Sequence, residues 1–159
     1  MKVVYCSKTG FSRRYAEMLA SELGCESLEY TFKKQIPKNE EIIYVGWVFA
    51  NKVKKLSSFK KHNVKAVLAV GMSPKDEKII GYIKEANKKD LLERELFYAQ
   101  GGLDRDGHKG FHKMLLKMVA KSVIQENKYE DRALISIFKN GGDFVSLDNL
   151  YELIKYVKN

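Results

Sequence analysis

The sequence has few cysteines and no long apolar segment, and these absences exclude several classes of protein. Cys6 and Cys25 are its only cysteines, and no C-x-x-C motif suggests zinc binding or disulfide redox chemistry. Two reduced thiols, as in a cytosolic chain, are expected. No apolar run is long enough to span a bilayer, and the residues after Met1 show no signal-peptide pattern. A cytoplasmic location is therefore predicted.

Acidic residues are scarce relative to basic ones. Lysine and arginine total 29 against 20 aspartates and glutamates, which gives a formal charge of +9. This balance favours an anionic partner, which is nucleic acid, an acidic protein or an anionic membrane surface. Because no nucleic-acid recognition motif accompanies the charge, no nucleic-acid partner is predicted. The chain has the length of one domain and no linker, so we expect residues 1–159 to form a single domain.

Short apolar runs alternate with segments of helical periodicity. Continuous apolar runs are typical of strands buried on both faces of a parallel sheet, whereas the second run is more polar and suits an edge strand. The predicted strands are residues 3–6, 27–30, 42–46, 66–70 and 96–99. The predicted helices are residues 12–23, 52–61, 75–89, 109–125 and a last helix after residue 146. This alternation predicts an α/β fold, with a doubly wound parallel sheet and helices on both faces.

Several helix ends carry recognisable signals. Gly24 is expected to end the first helix. Ser73 is expected to cap the third helix, with Pro74 at its first position. Ser146 or Asp148 is expected to cap the last helix. The apolar stripe of the first helix is Tyr15, Ala16, Leu19, Ala20 and Leu23, and that of the last helix is Leu147, Leu150, Tyr151, Ile154 and Val157.

The first strand is followed by a loop whose chemistry suits a phosphate monoester. In a doubly wound sheet, ligands bind outside the carboxyl ends of the strands, where this loop is expected. Three hydroxyls can donate hydrogen bonds, a glycine permits a sharp turn, and the next helix directs its N-terminal dipole at the same place. The loop, called the 7–12 loop below, consists of Ser7, Lys8, Thr9, Gly10, Phe11 and Ser12.

Two arginines follow the loop, and other phosphate motifs are absent. Cations in a first helical turn oppose the helix dipole. Arg13 and Arg14 therefore either face a bound dianion or belong to the general basic surface. Neither the P-loop pattern G-x-x-x-x-G-K-S/T nor the dinucleotide pattern G-x-G-x-x-G follows the first strand.

The loop resembles the FMN-phosphate loop of the flavodoxin family. Ser7-x-Thr9-Gly10-x-Ser12, placed directly after an apolar first strand, is similar to the family pattern Ser/Thr-x-Thr-Gly-x-Ser/Thr. The order of strands and helices is also similar along the whole chain. Residues 95–103 and the basic helix after them resemble the branch that contains menaquinone-dependent protoporphyrinogen oxidase. The resemblance implies strand order 2-1-3-4-5, bound FMN and an electron-transfer or oxidoreductase role.

The resemblance also implies two loops that hold the flavin ring. Trp47 or Phe49 in the first loop would stack on the ring, or else these aromatics only cover the sheet. The second loop would bond the polar edge of the flavin through its amides and the Ser73 hydroxyl. It lacks the aromatic that flavodoxins often have there. The first loop consists of Trp47, Val48, Phe49, Ala50 and Asn51, and the second of Gly71, Met72, Ser73 and Pro74.

Other features of the sequence have simpler interpretations. His108 and His112 are four residues apart, but no third ligand has a suitable spacing, so no metal is predicted. The helix at 109–125 either covers the sheet or contacts a hydrophobic partner or an anionic membrane, which would place the protein at the inner face of that membrane. The lysines between residues 52 and 61 are expected to form a solvated face.

Two functions are compatible with these expectations. The leading hypothesis is an FMN protein that transfers electrons or acts as a flavin-dependent oxidoreductase. Its electron partner would be a redox protein or a small-molecule or quinone acceptor. The alternative is a binding or regulatory module that holds a phosphate ligand without redox chemistry. The basic charge makes a standard shuttle role less natural, because shuttle flavodoxins are usually acidic. No catalytic acid or base is identified.

Overall fold

Strands and helices alternate along the chain much as the apolar pattern predicts. The structure is a computed structural model that describes residues 1–31, 36–104 and 132–159. The strands are β1 (Lys2–Cys6), β2 (Glu26–Glu29), β3 (Ile42–Phe49), β4 (Lys52–Val53), β5 (Val64–Gly71), β6 (Glu95–Gln100), β7 (Gly102–Leu103) and β8 (Gly142–Asp143). The helices are α1 (Phe11–Leu23), α2 (Glu77–Leu91), α3 (Arg132–Asn140) and α4 (Tyr151–Lys158), with short 3₁₀ turns at Leu56–Phe59 and Leu147–Leu150.

The central sheet is built from parallel strands in the order β2-β1-β3-β5-β6, and the short β4 pairs antiparallel with β3. With β4 set aside, this is the expected order 2-1-3-4-5. The predicted α/β fold is therefore confirmed, and it is consistent with a flavodoxin-like fold. Cys6 pairs with Gly46 and Trp47 pairs with Val70. The carboxyl ends of β1, β3 and β5 consequently meet at one edge of the sheet.

Both faces of the sheet are covered by apolar packing, because strand side chains alternate between the faces. Val3 faces a cluster that includes Tyr15 from α1 and Leu153 from α4. Val4 faces the opposite cluster, which includes Ile83 from α2. These five side chains are at most 1% exposed. The prediction of helices on both faces is thus confirmed.

The predicted basic helix at 52–61 is wrong. The chain instead makes a tight turn through Ala50 and Asn51, whose φ angles are 48° and 60°. Two left-handed residues of this kind suit a two-residue hairpin turn, which here joins β3 to β4. A 3₁₀ turn follows. Burial overrides the helical pattern because three apolar side chains of this segment enter the core, namely Val53, Leu56 and Phe59.

The predicted start of the helix at 75–89 is also wrong. The cap of α2 is Asp76, not Ser73, and Pro74 precedes the helix. The Asp76 carboxylate accepts hydrogen bonds from the amides of Lys78 at 2.7 Å and Ile79 at 3.4 Å. A carboxylate at this position both satisfies free amides and complements the helix dipole.

The C-terminal segment follows its predicted cap but not its predicted stripe. Ser146 Oγ accepts a hydrogen bond from the Asp148 amide, and it caps a 3₁₀ turn that leads into α4. Leu147 and Tyr151 were expected in the stripe, yet they are 44% and 67% exposed. The 3₁₀ turn shifts the register of the segment. The buried apolar residues of this segment are therefore Leu150, Leu153 and Val157.

A small ribbon and a helix at the carboxyl edge were not predicted. β7 pairs antiparallel with β8. Leu103 of β7 packs with Ile137 and Phe138 of α3, and Met72 joins this cluster. The helix predicted at 109–125 lies outside the described residues. Within the described ranges, no helix is both long and apolar enough to cross a membrane.

Candidate functional site

The 7–12 loop lies at the carboxyl end of β1 and leads directly into α1. Gly10 occupies the N-cap position with φ 93°, a conformation that favours glycine, and no side chain caps the helix there. The Gly10 amide donates a 3.1 Å hydrogen bond to Ser7 Oγ. That amide is therefore engaged within the loop. The first amides of a helix point along its axis away from the helix, so α1 directs uncapped donors into this edge of the sheet.

The Ser12 hydroxyl is the most unusual polar group of the loop. Ser12 is 1% exposed, and its Oγ has no hydrogen-bond partner among the described residues. A buried hydroxyl without a partner costs about 1–3 kcal/mol. An acceptor placed at the N-terminus of α1 would remove that cost. Lys8 is exposed, whereas Ser7, Thr9 and Phe11 are half-buried.

The two arginines after the loop are paired with acids. Arg13 Nε lies 2.7 Å from Glu17 Oε1, one helical turn further along α1. Arg14 forms an ion pair with Asp143 on β8. Both side chains are largely exposed. In this arrangement phosphate recognition would depend on helix amides and hydroxyls, because the guanidinium groups already have carboxylate partners.

The β3–β4 hairpin brings two aromatic rings and a lysine together. Trp47 is half-buried and Phe49 is 39% exposed. Their ring centroids are 6.2 Å apart. Lys54 Nζ lies 5.5 Å from the Trp47 ring centroid and 5.0 Å from that of Phe49. Val48 points to the other face of the sheet, where it packs against the second core cluster, and Ala50 forms the turn.

Trp47 also lies close to Cys6, the last residue of β1. Burial raises the pKa of the Cys6 thiol, and hydrogen bonding with the Trp47 side chain opposes part of this shift. Cys6 immediately precedes Ser7. Trp47 thus lies near the residue that directly precedes the 7–12 loop.

A single buried side chain anchors the hairpin to α2. Asn87 is 1% exposed. Its Oδ1 accepts a 3.0 Å hydrogen bond from the Val53 amide, and its Nδ2 donates to the carbonyls of Asn51 and Ile83, each at 2.7 Å. One residue therefore ties both the turn of the hairpin and β4 to α2. Nothing in the sequence singled out Asn87, because an asparagine in a helix usually indicates only an exposed position.

The loop after β5 is joined to β6 and the small ribbon. The Met72 carbonyl accepts a 3.2 Å hydrogen bond from Gln100 Nε2, and the Ser73 carbonyl accepts one of 2.7 Å from Tyr98 Oη. The Met72 side chain packs against the cluster that contains Leu103. Side chains of β6 thus hold this loop in place. The loop itself has no aromatic side chain to face a planar ligand.

Phe11 connects the 7–12 loop to the end of β6. A Cβ atom built on Gly101 would lie 3.1 Å from Phe11 Cβ, and one built on Gly102 would lie 3.1 Å from Phe11 Cε1. A side chain at either glycine would therefore crowd the Phe11 ring. The structure thus brings the loops after β1, β3 and β6 to one edge. Sequence reasoning did not identify Lys54 or Asn87 as parts of this edge.

No model of a known protein family matches the chain, and no curated protein matches it. The resemblance to flavodoxins therefore stays a prediction, based on the 7–12 loop and on the order of elements. No group of three or more potential metal ligands occurs in the part of the chain that the structure describes. His108 and His112, the two histidines considered above as metal ligands, lie outside that part.

Proposed function

We propose that this protein binds FMN at the carboxyl edge of its sheet and functions in electron transfer or as a flavin-dependent oxidoreductase. The strongest support is the Ser12 hydroxyl, which is buried without a partner at the uncapped N-terminus of α1. A phosphate monoester offers acceptor oxygens and negative charge, which suit both the hydroxyl and the helix dipole.

The remaining residues of the edge fit a planar ligand attached to that phosphate. Trp47 and Phe49 supply aromatic surface next to the base of the loop. Ser7 and Thr9 supply further hydroxyls, and the loop of Met72 and Ser73 borders the site on the side of β5. When bound, FMN supplies the redox chemistry. The protein's residues bind the phosphate, orient the ring and set the charge around it.

The electron partner is a separate part of the proposal. The excess of basic residues favours an acidic redox protein or a small-molecule acceptor, including a quinone, over the basic partners of acidic shuttle proteins. A peripheral contact with an anionic membrane would depend on residues 109–125, which lie outside the described ranges.

A non-redox module that binds a phosphate ligand is the second candidate. It is favoured by the loop of Met72 and Ser73, which has no aromatic ring to stack on a flavin. Such a module would use the 7–12 loop without holding a flavin ring. Binding of FMN, riboflavin and inorganic phosphate distinguishes the two candidates.

A fluorescence titration tests the proposal directly. Trp47 is the only tryptophan, so its emission reports on this edge alone. We expect FMN to quench it at much lower concentrations than riboflavin, because riboflavin lacks the phosphate. Ser12→Ala should weaken FMN binding several-fold, whereas Ser21→Ala, an exposed position on the same helix, should not. A colourless preparation that also fails to bind added FMN would disprove the proposal.

A further inference from the structure

The Lys54 side chain is a positive charge held in a defined place at the proposed flavin site. Its ammonium lies over both rings of the hairpin, 5.5 Å from the Trp47 centroid and 5.0 Å from the Phe49 centroid. The backbone around it is fixed as well. The Lys54 amide donates to the Trp47 carbonyl at 3.0 Å, and the Lys54 carbonyl accepts from Tyr44 Oη at 2.5 Å. Lys54 therefore has a defined position in the hairpin.

Aromatic faces, and not carboxylates, hold this ammonium. Among the described residues, the ion pairs join other lysines and arginines to acids, for example Lys60 to Asp90 and Lys75 to Glu152, and none includes Lys54. An aromatic ring attracts a cation through its quadrupole but does not neutralise its charge. A full positive charge thus remains beside whatever lies on the hairpin.

The position of Lys54 relative to the 7–12 loop follows from the strand register. Cys6 pairs with Gly46, so Ser7, the first residue after β1, lies at about the level of Trp47 in β3. Lys54 lies across the hairpin from Trp47, to which it is hydrogen-bonded. A ligand whose phosphate is at the N-terminus of α1 and whose ring extends toward the hairpin would therefore carry that ring close to Lys54.

We propose that Lys54 is an electrostatic determinant of the cofactor at this site and raises the reduction potential of bound FMN. This inference rests on the proposed function. A flavin ring gains negative charge as it takes up electrons, and a nearby cation stabilises that charge more than it stabilises the oxidised ring. The lysine thereby favours the reduced cofactor, in contrast to a site lined with carboxylates.

The test compares Lys54→Gln with Lys54→Arg and with Lys61→Gln. Lys61 is exposed and lies just before β5, at the opposite edge of the sheet, so its variant makes the same change in net charge at a distance. The midpoint potential of bound FMN is measured by anaerobic titration with dithionite, which donates the electrons, against a reference dye. We expect a shift to more negative potential in K54Q, recovery in K54R and no shift in K61Q.

Two further readouts make the test decisive. In the protein without FMN, K54Q should change the emission of Trp47, whereas K61Q should not, which reports on the contact itself. The potential difference between K54Q and wild type should shrink as salt is added, because Lys54 is only partly buried. Equal potentials in K54Q and K61Q, in a protein that binds FMN, would overturn this inference alone. Failure of the wild type to bind FMN would overturn the proposed function together with it.

Discussion

The Tyr15 hydroxyl donates a 2.6 Å hydrogen bond to the backbone carbonyl of Gln100, which joins α1 to the carboxyl end of β6. The same hydroxyl accepts a 2.6 Å hydrogen bond from Asn149 Nδ2. Tyr15 is fully buried and lies one turn after the 7–12 loop. One phenol therefore fixes α1 both to the carboxyl edge of the sheet and to the C-terminal segment. In the proposed function, α1 is the helix that binds the phosphate.

Replacing Tyr15 with phenylalanine should lower the free energy of unfolding by about 1–3 kcal/mol, because the partly buried Gln100 carbonyl and Asn149 amide lose their hydrogen bonds to the phenol while the ring packing is kept. Urea denaturation followed by circular dichroism measures this change. Tyr82→Phe is a matched control, since Tyr82 is 62% exposed on α2 and its loss should be nearly neutral. Equal effects of the two variants would show that the Tyr15 hydroxyl does not stabilise the fold.

The protein should lose stability in alkaline solution. Burial raises the pKa values of Tyr15, Tyr44 and Tyr98 above the ordinary value of 10.0. A group whose pKa is higher in the folded state stabilises that state fully below its unfolded pKa. The contribution decreases as the pH rises above about 10, since the unfolded chain then releases the protons more readily.

Urea midpoints measured between pH 8 and pH 11 test this expectation. The midpoint should stay constant up to about pH 10 and then fall, while phenolate absorbance of the folded protein lags behind that of the unfolded chain. Tyr98→Phe should make the fall less steep, because one of the buried phenols is removed. An unchanged slope in that variant would contradict the assignment.

Substitution of Asn87 should loosen the aromatic hairpin. Asn87→Ala leaves the Val53 amide and the Asn51 carbonyl without their buried partner, and a loss of about 2–3 kcal/mol is expected. The emission of Trp47 should shift as the hairpin becomes more exposed. Lys88→Ala is the control, because Lys88 is exposed at the adjacent position of α2. Unchanged Trp47 emission in N87A would show that the hairpin does not depend on this anchor.

Two glycine-to-alanine substitutions should have opposite effects. A Cβ atom on Gly71 would lie 2.3 Å from Tyr98 Oη and 2.6 Å from Tyr98 Cε2, so Gly71→Ala must displace a buried ring and should destabilise the fold by about 1–3 kcal/mol. Gly81 lies within α2, and apart from the helix's own neighbouring backbone no described atom lies within 4 Å of a Cβ placed there. Gly81→Ala should therefore stabilise the protein by about 0.5–1 kcal/mol. Thermal unfolding of both variants measures the contrast, and destabilisation by G81A would contradict it.

The parts of the fold that the sequence predicts well are those that depend on burial at regular spacing. Val3 and Val4 lie in a continuous apolar run, and both are fully buried on opposite faces of the sheet. Gly24 ends α1 in the left-handed conformation, as its position suggests. The sequence offers Ser73 and Asp76 as caps of α2, and both are good cap residues. The chosen cap, Asp76, follows from where the backbone enters the helix, which includes a Ser73 carbonyl held by Tyr98 Oη.

The candidate site is predicted less completely, because its contacts join distant segments. The sequence identifies Ser12, because it belongs to a local loop pattern. It does not predict that the Ser12 hydroxyl is buried without a hydrogen-bond partner, because that depends on how α1 packs against the sheet. Lys54 looks like one of several surface lysines until the turn at Ala50 and Asn51 folds it over the rings. The misplaced helix at 52–61 concealed this contact, since a helix would have placed Lys54 away from Trp47.

The ion pair between Arg14 and Asp143 should give a small stabilisation at neutral pH that is lost in acid. Burial raises the pKa of Asp143, but hydrogen bonds from Arg14 and the Val145 amide lower it by more, so the pKa lies below the ordinary value of 3.8. A lowered pKa stabilises the fold above the unfolded value, and this contribution is lost as the pH falls through the folded value. Both side chains are about half exposed, and solvent screening limits the effect to about 1 kcal/mol or less.

Asp143→Asn should therefore reduce stability slightly at pH 7 and leave it unchanged near pH 2, as measured by urea denaturation at both values. A deficit of equal size at the two pH values would show that Asp143 acts through packing and not through its charge.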